Sequence, residues 1–320
     1  MNDQEIYELF QPLWGDFGDY QWMLDNRPLL AHYTSMHALE QIMKNEEIWF
    51  SNPLFMNDLE EMRFGINMGA RLFEQNGEVD RAGGTPERTN ILKQAFSYYY
   101  SQFDSHAINV FVFCLSQHDP KDTDGVLSMW RGYGRHGDGA ALIFSTNLVI
   151  QKLDAPLIVA RVSYASTEQR VTWLNTRLAQ WCKIVAGSSI PDDKLHIAVY
   201  QIFNMIKLYA LTAKHHGFRE EREWRIIYMP DRDPTGILKD RFGYTIGRQG
   251  VEPKLKLKIE PLPIEPREQW TFESILDRII LGPSISSPLA CSSVGRMLES
   301  MGKSEFCKKV FPSTIPLRPM

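Results

Sequence analysis

Apolar and polar positions along the chain fall into short periods that alternate between helix and strand. Residues 29–51, LLAHYTSMHALEQIMKNEEIWFS, predict a strand reaching His32 and Tyr33, a helix capped by Thr34 or Ser35, and a second strand at Ile48–Ser51. Leu39, Ile42 and Met43 give that helix one apolar face at three- and four-residue spacing. The polar, glycine-containing stretch 74–90 predicts a loop between two helical patterns. INVFVFCLS, residues 108–116, is a dense run of β-formers that predicts a central strand, and AALIFS (140–145) and LIVARVSY (157–164) predict two more. Val171, Leu174, Leu178, Trp181 and Val185 step at helical spacing, a second helix follows over 192–213, and Gly217 is placed to end it.

The strand REWRIIYM, residues 222–229, comes next, then a proline- and glycine-rich excursion to about residue 268. The chain closes with a strand at 275–283, a helix at 286–302 and a last strand in KVFPSTIPLR. Strands and helices do not alternate strictly, so the pattern predicts an α+β fold with a mixed, largely antiparallel sheet instead of a doubly wound one. The organisation expected is a single enlarged domain over 1–320, with helical inserts near 60–107 and 166–216 and a strand-helix-strand extension over 270–320.

Composition narrows this picture without changing it. With 43% hydrophobic and 23% charged residues the chain belongs to the ordinary globular class. A formal charge of -4 gives no global attraction to polyanions, so the sequence carries no strong nucleic-acid signal. The acidic start MNDQEIYELF reads against a secretory leader, and the most apolar stretch, 197–213, carries Gln201, Asn204 and Lys207 and reads as a buried helix, not a membrane span. Four widely spaced cysteines with no CxxC pair argue against a zinc knuckle or disulfide scaffold and fit a reducing cytoplasm.

The sharpest candidate chemistry lies in KHHGFREEREWRIIYMP, residues 214–230. On a strand, Glu221, Glu223, Arg225 and Ile227 would share one face and Arg222, Trp224, Ile226 and Tyr228 the other, with α-carbons two apart separated by roughly 6–7 Å. Two carboxylates on one side suit a cleft that needs negative charge; the alternative is a solvated edge bearing a Glu223–Arg225 surface pair. Lys214, His215 and His216 read as cations ending a helix. In WRGYGRHGDGAALIF the glycines Gly132, Gly134 and Gly137 follow a GxGxxG order, but a strand follows them where a dinucleotide fingerprint requires a helix. The segment reads as a tight loop presenting Trp130, Arg131, Tyr133, Arg135 and His136 as a ligand wall, or as a hairpin whose aromatics fill core. Asn57, Asp58, Glu60 and Glu61 read as a helix cap with a charged first turn in preference to a metal site, and no metal is predicted.

Taken together, His32-Tyr33-Thr34, Asn57-Asp58-x-Glu60, Phe113-Cys114-Leu115-Ser116, Trp130-x-x-Tyr133-Gly134 and Phe218-x-x-Glu221-x-Glu223-Trp224-Arg225 resemble a bacterial family catalogued only as a domain of unknown function, over roughly residues 28–285. More loosely, a histidine, then serine or tyrosine, then a strand bearing Glu-x-Glu is similar to the triad order of the ADP-ribosyltransferase superfamily. That resemblance implies an ADP-ribosyltransferase-like core and NAD as substrate. His32 would contact the NAD ribose, Tyr133 stack on nicotinamide, and Glu223 hold the ribose hydroxyl, with Glu221 the preceding acid and Ser116 the middle-strand serine. Tyr33 and Trp130 would complete the wall and Arg131 or Arg135 would neutralise the pyrophosphate. Tyr33 stands where the poly-ADP-ribosylating branch has glycine. The function expected is ADP-ribose transfer to an unknown macromolecular acceptor, or NAD hydrolysis, in a toxin or phage-defence setting. A non-catalytic module holding a nucleotide or peptide, and a metal-dependent nuclease using Asp58, Glu60, Glu221 and Glu223, are the competing readings.

Overall fold

The computed structural model describes residues 1–15, 20–56, 59–149, 155–247, 250–259 and 271–317. Asn57 and Asp58, the side chains of Glu60 and Glu61, and residues 260–270 of the expected excursion lie outside the described residues. In chain order the elements are α1 (Asp3–Leu9), α2 (Tyr20–Asn26), β1 (Leu29–Thr34), α3 (Met36–Asn45), β2 (Glu47–Ser51), α4 (Leu59–Gln75), α5 (Gly77–Gly83), α6 (Pro86–Ser101), α7 (Phe103–Ala107) and β3 (Phe111–His118). There follow α8 (Leu127–Gly132), β4 (Ala140–Ser145), β5 (Leu157–Arg161), β6 (Ser163–Ala165), α9 (Thr167–Gly187), α10 (Leu195–Thr212), β7 (Ala213–His215) and β8 (Glu223–Tyr228). The chain ends with β9 (Phe242–Gly247), β10 (Gly250–Lys258), α11 (Phe272–Ile275), β11 (Leu276–Leu281), α12 (Pro288–Ser300) and β12 (Val310–Pro312). This is a mixed α+β protein with a mostly antiparallel sheet.

Two compact units share the chain: Met1–Gly18, Asn52–Val110 and Val162–Arg219 form one, and Asp19–Ser51, Phe111–Arg161 and Glu220–Met320 the other. The stretches near 60–107 and 166–216 that the sequence marks as helical inserts fall in the first. There α10 is buried almost throughout and packs on α4 and α6. Part of the expected 74–90 loop is the helix α5, because Asn76 accepts from the Glu78 amide at its start and Val79 and Ala82 are buried. The chain leaves α10 at Thr212, not at Gly217: Ala213–His215 pairs in parallel with Ser163–Ala165, so Lys214 and His215 belong to a short strand instead of a helix end. Lys214 is buried, with Nζ 5.4 Å from the Phe218 ring centroid.

The second unit holds a ten-stranded sheet whose main path runs β12-β11-β4-β1-β3-β2-β10-β9, with β8 between β3 and β5. Among the described residues only β11–β12 is parallel in it. Its larger core buries Leu30, Phe113, Leu115, Leu142, Trp224 and Leu255 among others, under α3, α11 and α12. A smaller cluster of Ala31, Tyr33, Met129, Trp130, Ala141, Ile143 and Ile280 lies on the alternate positions of the same strands. Strand alternation therefore assigns each side chain of the candidate site to one of two faces.

β3 is where the sheet branches. It pairs with β8 from Phe111 to Ser116, meets β2 at Val112, and meets β1 at Ser116–His118. Between its bridges to β2 and β1, the Cys114 carbonyl has an imidazole for a partner: His32 Nδ1 lies 3.0 Å from it. A carbonyl can only accept, so the proton of this bond sits on Nδ1.

Candidate functional site

Ser116 pairs with Ala31 on one side and Glu223 on the other, so Ala31, Ser116 and Glu223 share a face of the sheet. Along β8 that face continues through Arg225, while Trp224 and Tyr228 enter the larger core. His32 falls on the opposite face: its ring centroid is 4.4 Å from that of Phe113, and Phe113 belongs to the core that also holds Trp224. The expected meeting of His32 with Glu223 in one cavity is thus not what the register gives. Burial lowers the His32 pKa, the Cys114 carbonyl opposing in part, so the ring is held toward its neutral form. Its hydrogen bond is used on the backbone.

The two carboxylates are also separated. Glu221 ends a 3₁₀ turn, His216–Glu221, and β8 begins only at Glu223. Between them Arg222 takes a left-handed conformation, φ 43°, which breaks the alternation that an uninterrupted strand would impose. β3 holds this kink from outside: Ser116 Oγ donates to the Glu221 carbonyl at 2.6 Å, and the Gln117 amide donates to the Arg222 carbonyl at 2.9 Å. Arg222 therefore bends where Ser116 and Gln117 require it.

Past the kink, Glu223 and Arg225 are both buried and joined as a fork. Arg225 Nε lies 2.8 Å from Glu223 Oε1 and Nη2 lies 3.1 Å from Oε2. The surface pair expected as one alternative is a pair, but an interior one, because β3 and β5 flank β8 on both sides. Before the kink the Glu221 side chain is half-buried and meets a phenol instead: Tyr133 Oη donates to Glu221 Oε1 at 2.8 Å. Tyr133 itself is 38% exposed.

Tyr133 reaches that position from the end of α8. Its amide and that of Gly134 both donate to the Met129 carbonyl, closing the helix one turn after Trp130. Trp130 is fully buried, its Nε1 donates to the Asp124 carbonyl at 2.9 Å, and Tyr33 stands against it edge-on with centroids 4.8 Å apart. Tyr33 Oη accepts from the Val126 amide at 2.9 Å, and burial pushes its pKa up to about 12. Both aromatics anchor the loop from within the core, and of the aromatics expected to form a wall only Tyr133 is exposed. Beyond it the chain runs tight against β1, where a Cβ on Gly139 would stand 2.1 Å from the Thr34 carbonyl oxygen.

Between Tyr133 and Gly139, Arg135 and His136 adopt left-handed conformations, φ 54° and 56°. They open onto a depression of about 460 Å³ lined by Ser35, Met36, His37, Arg135, His136 and Asp138. Ser35 caps α3 there, its Oγ accepting from the Ala38 amide at 3.1 Å. An arginine and two imidazoles beside a helix start make a wall suited to anionic oxygens, and Asp138 is the one acid among the described residues that line it. In the sequence His37 and Asp138 carry only faint signals, a histidine two residues after a capping serine and an acid closing a glycine loop. Arg131 is exposed on the last turn of α8.

Among the described residues there is no group of three or more His, Cys, Asp or Glu placed to hold a metal ion, and no helix is long and apolar enough to cross a membrane. Asp58 and the Glu60 carboxylate, two members of the nuclease reading, lie outside those residues. Comparison with known families gives one match: residues 129–226 fit the model described as "Protein of unknown function (DUF2971)". No curated protein and no solved structure matches the chain. The matched stretch takes in Tyr133, Glu221, Glu223 and Arg225 and leaves out His32, Tyr33 and Ser116. It supports the resemblance to a domain-of-unknown-function family over those residues.

Proposed function

We propose that the protein binds NAD and breaks its nicotinamide–ribose bond, passing the ADP-ribosyl group to an acceptor or to water. The observation that carries this reading is the Tyr133–Glu221 contact on a half-exposed carboxylate, on the same short loop that sends Arg135 and His136 to the depression. In this assignment Glu221, and not Glu223, faces the sugar. Glu223 already spends both oxygens on Arg225.

When the C1′–N bond breaks, its electron pair leaves with nicotinamide and positive charge develops on the ribose. A fixed carboxylate beside that carbon stabilises the transition state more than the ground state. Tyr133 holds the Glu221 carboxylate in place through its hydroxyl. The incoming nucleophile forms the new bond at C1′ and gives up its proton to solvent water. Arg135, His136 and His37 suit the pyrophosphate oxygens by charge and by hydrogen-bond donation.

A second reading, a module that holds a nucleotide without turning it over, is favoured by the structural use of both His32 and Glu223. Purified protein incubated with NAD, alone and with cell lysate as a source of acceptors, separates the two. Release of nicotinamide that falls about 10²-fold or more in Glu221→Gln, with NAD affinity little changed, is the outcome expected. Wild-type turnover in Glu221→Gln overturns the role given to that carboxylate. NAD binding with no nicotinamide release under either condition leaves the binding module.

A further inference from the structure

Two consecutive non-glycine residues in left-handed conformations are costly, and they persist only where the surroundings fix them from several sides. Arg135 and His136 form such a pair, with Gly137 after them at φ 93°. Within the loop the amides of Gly137 and Gly139 donate to the Gly134 carbonyl, and that of Asp138 to the Arg135 carbonyl. The rest of the fixing comes from residues more than 140 positions later. The Gly282 amide donates to the Gly139 carbonyl at 2.8 Å, and Ser284 Oγ donates to the His136 carbonyl at 3.3 Å. A Cβ on Gly137 would stand 2.7 Å from that Ser284 hydroxyl and 2.8 Å from Leu317 Cδ2, so Leu317 closes on Gly137 with no room for a side chain between them.

Leu317 is brought there by the segment 313–317, which follows β12. The Ser313 amide donates to the Leu281 carbonyl at 3.0 Å, and Ile315 packs on the smaller core that holds Tyr33 and Trp130. Between them Thr314 gives both its amide and its hydroxyl to one oxygen, Asp124 Oδ1, the hydroxyl at 2.9 Å. Asp124 is itself set in place, because its amide and that of Gly125 both donate to Asp122 Oδ1, at 2.8 and 2.9 Å. Its carbonyl accepts from Trp130 Nε1. One residue thus holds α8 through its backbone and the 313–317 segment through its side chain.

We propose that residues 313–317 are a strap, fastened at Asp124, that holds Arg135 and His136 in the arrangement that receives anionic oxygens. Asp124, Thr314 and Leu317 are then positioning residues, and none of the three lines the depression. The inference rests on the assignment of that wall to the pyrophosphate of NAD and adds what preassembles it. With the strap unfastened, the left-handed pair loses one of the sides that fix it and the loop reaches other conformations. Affinity for an anion then falls by the fraction of molecules in which the wall stays assembled.

Calorimetric titration of the full chain with inorganic pyrophosphate, together with hydrogen exchange at the Gly137, Asp138 and Gly139 amides, tests this. Asp124→Ala should speed exchange of those three amides and weaken pyrophosphate binding at least about fivefold. Thr314→Val, at an exposed position and keeping the amide bond, should give a smaller loss in the same direction, and Thr314→Ser should restore wild-type affinity. Unchanged exchange in Asp124→Ala overturns the strap. Faster exchange with wild-type affinity, the result of a merely structural contact, overturns its role at the wall. Where Asp124→Ala does not fold, equal affinities in the two threonine variants overturn the proposal. A wild type that takes up no pyrophosphate overturns the assignment of the wall and the strap with it. Failure of NAD turnover alone looks different: pyrophosphate bound by the wild type and lost in the variants, with no nicotinamide released, supports the strap and removes only the bond-breaking step.

Discussion

Within three residues the approach to β8 and its first turn treat the same side chain in two ways. Glu223, inside the strand, is buried and forked onto Arg225; Glu221, just outside it, is half-buried and holds one phenol. The difference arises in the backbone of Arg222, whose left-handed conformation ends the regular alternation and turns Glu221 away from the ladder. A carboxylate locked into a buried ion pair is committed to the fold. The other stands at a kink, outside the ladder, where a neutral phenol donates to it. Type and spacing are identical in Glu-x-Glu, so the division of labour comes from what β3 does to the segment.

The largest effect should come from breaking the interior pair. Arg225→Ala leaves a buried carboxylate without its fork and should cost about 3–5 kcal/mol of stability, read from the denaturant midpoint at constant slope. Replacing both members, Glu223→Leu with Arg225→Met, should recover most of that loss, because the desolvated charges go together. A cost for Arg225→Ala no larger than that of a surface substitution, within about 0.5 kcal/mol, would contradict the contrast drawn between the two glutamates.

His32 comes next, as a ring on the core face that serves the backbone. His32→Leu removes the imidazole bond to the Cys114 carbonyl and should cost about 1–3 kcal/mol. Its titration gives a separate signature. Burial lowers its folded pKa, so below the unfolded value of 6.5 the unfolded chain takes up a proton that the folded ring resists. Stability should therefore fall as pH drops below 6.5 toward the folded pKa, and level off below that. His118, also lowered chiefly by burial, acts in the same direction. His32→Gln should show a shallower acid slope than wild type in urea titrations across that window; an unchanged slope would place the proton uptake elsewhere.

Much of this was legible in the sequence, and the failures share one physical origin. The short apolar runs at 29–34, 140–145 and 223–228 became strands because runs of β-formers of that length suit a sheet whose two faces are both covered. The α+β class followed from the order of such runs. What local pattern did not carry was the non-local hydrogen bond. The central strand begins at Phe111 and not at Ile108, because Asn52 Nδ2 holds the carbonyls of Ala107, Ile108 and Val110 in a turn more than fifty residues away in sequence. Glu221 leaves the strand because Ser116, 105 residues earlier, takes its carbonyl. His32 faces the larger core because alternation along β1 sets it opposite to Ala31 and Tyr33, and its ring meets the Cys114 carbonyl where β1 and β2 part along β3, which no spacing within HYT signals.

Removing the Ser116 hydroxyl tests the kink directly. Ser116→Ala should cost about 1 kcal/mol from the lost bond to the Glu221 carbonyl, while Ser116→Thr, keeping a donor, should cost less. If the kink positions Glu221, nicotinamide release should fall further in Ser116→Ala than NAD affinity does, and recover in the threonine variant.

The smallest change in stability should come from Tyr133→Phe. The ring is 38% exposed and loses only a hydroxyl whose partner can turn to water, so the thermal midpoint should move by the equivalent of about 0.5 kcal/mol or less. Its consequence for the candidate site should be disproportionate. Without the phenolic donor the Glu221 carboxylate loses the bond that fixes its orientation, and nicotinamide release should fall roughly tenfold, a loss of about 1.4 kcal/mol of transition-state stabilisation. Tyr133→Phe combined with Glu221→Gln should then be no worse than Glu221→Gln alone, the result expected of a phenol that acts on turnover through that carboxylate. Independent, additive losses in the double variant would mean that Tyr133 touches the nucleotide itself, as a stacking ring would. The comparison between a glutamate held for structure and one held for chemistry thus comes down to whether one hydroxyl matters more to turnover than to folding.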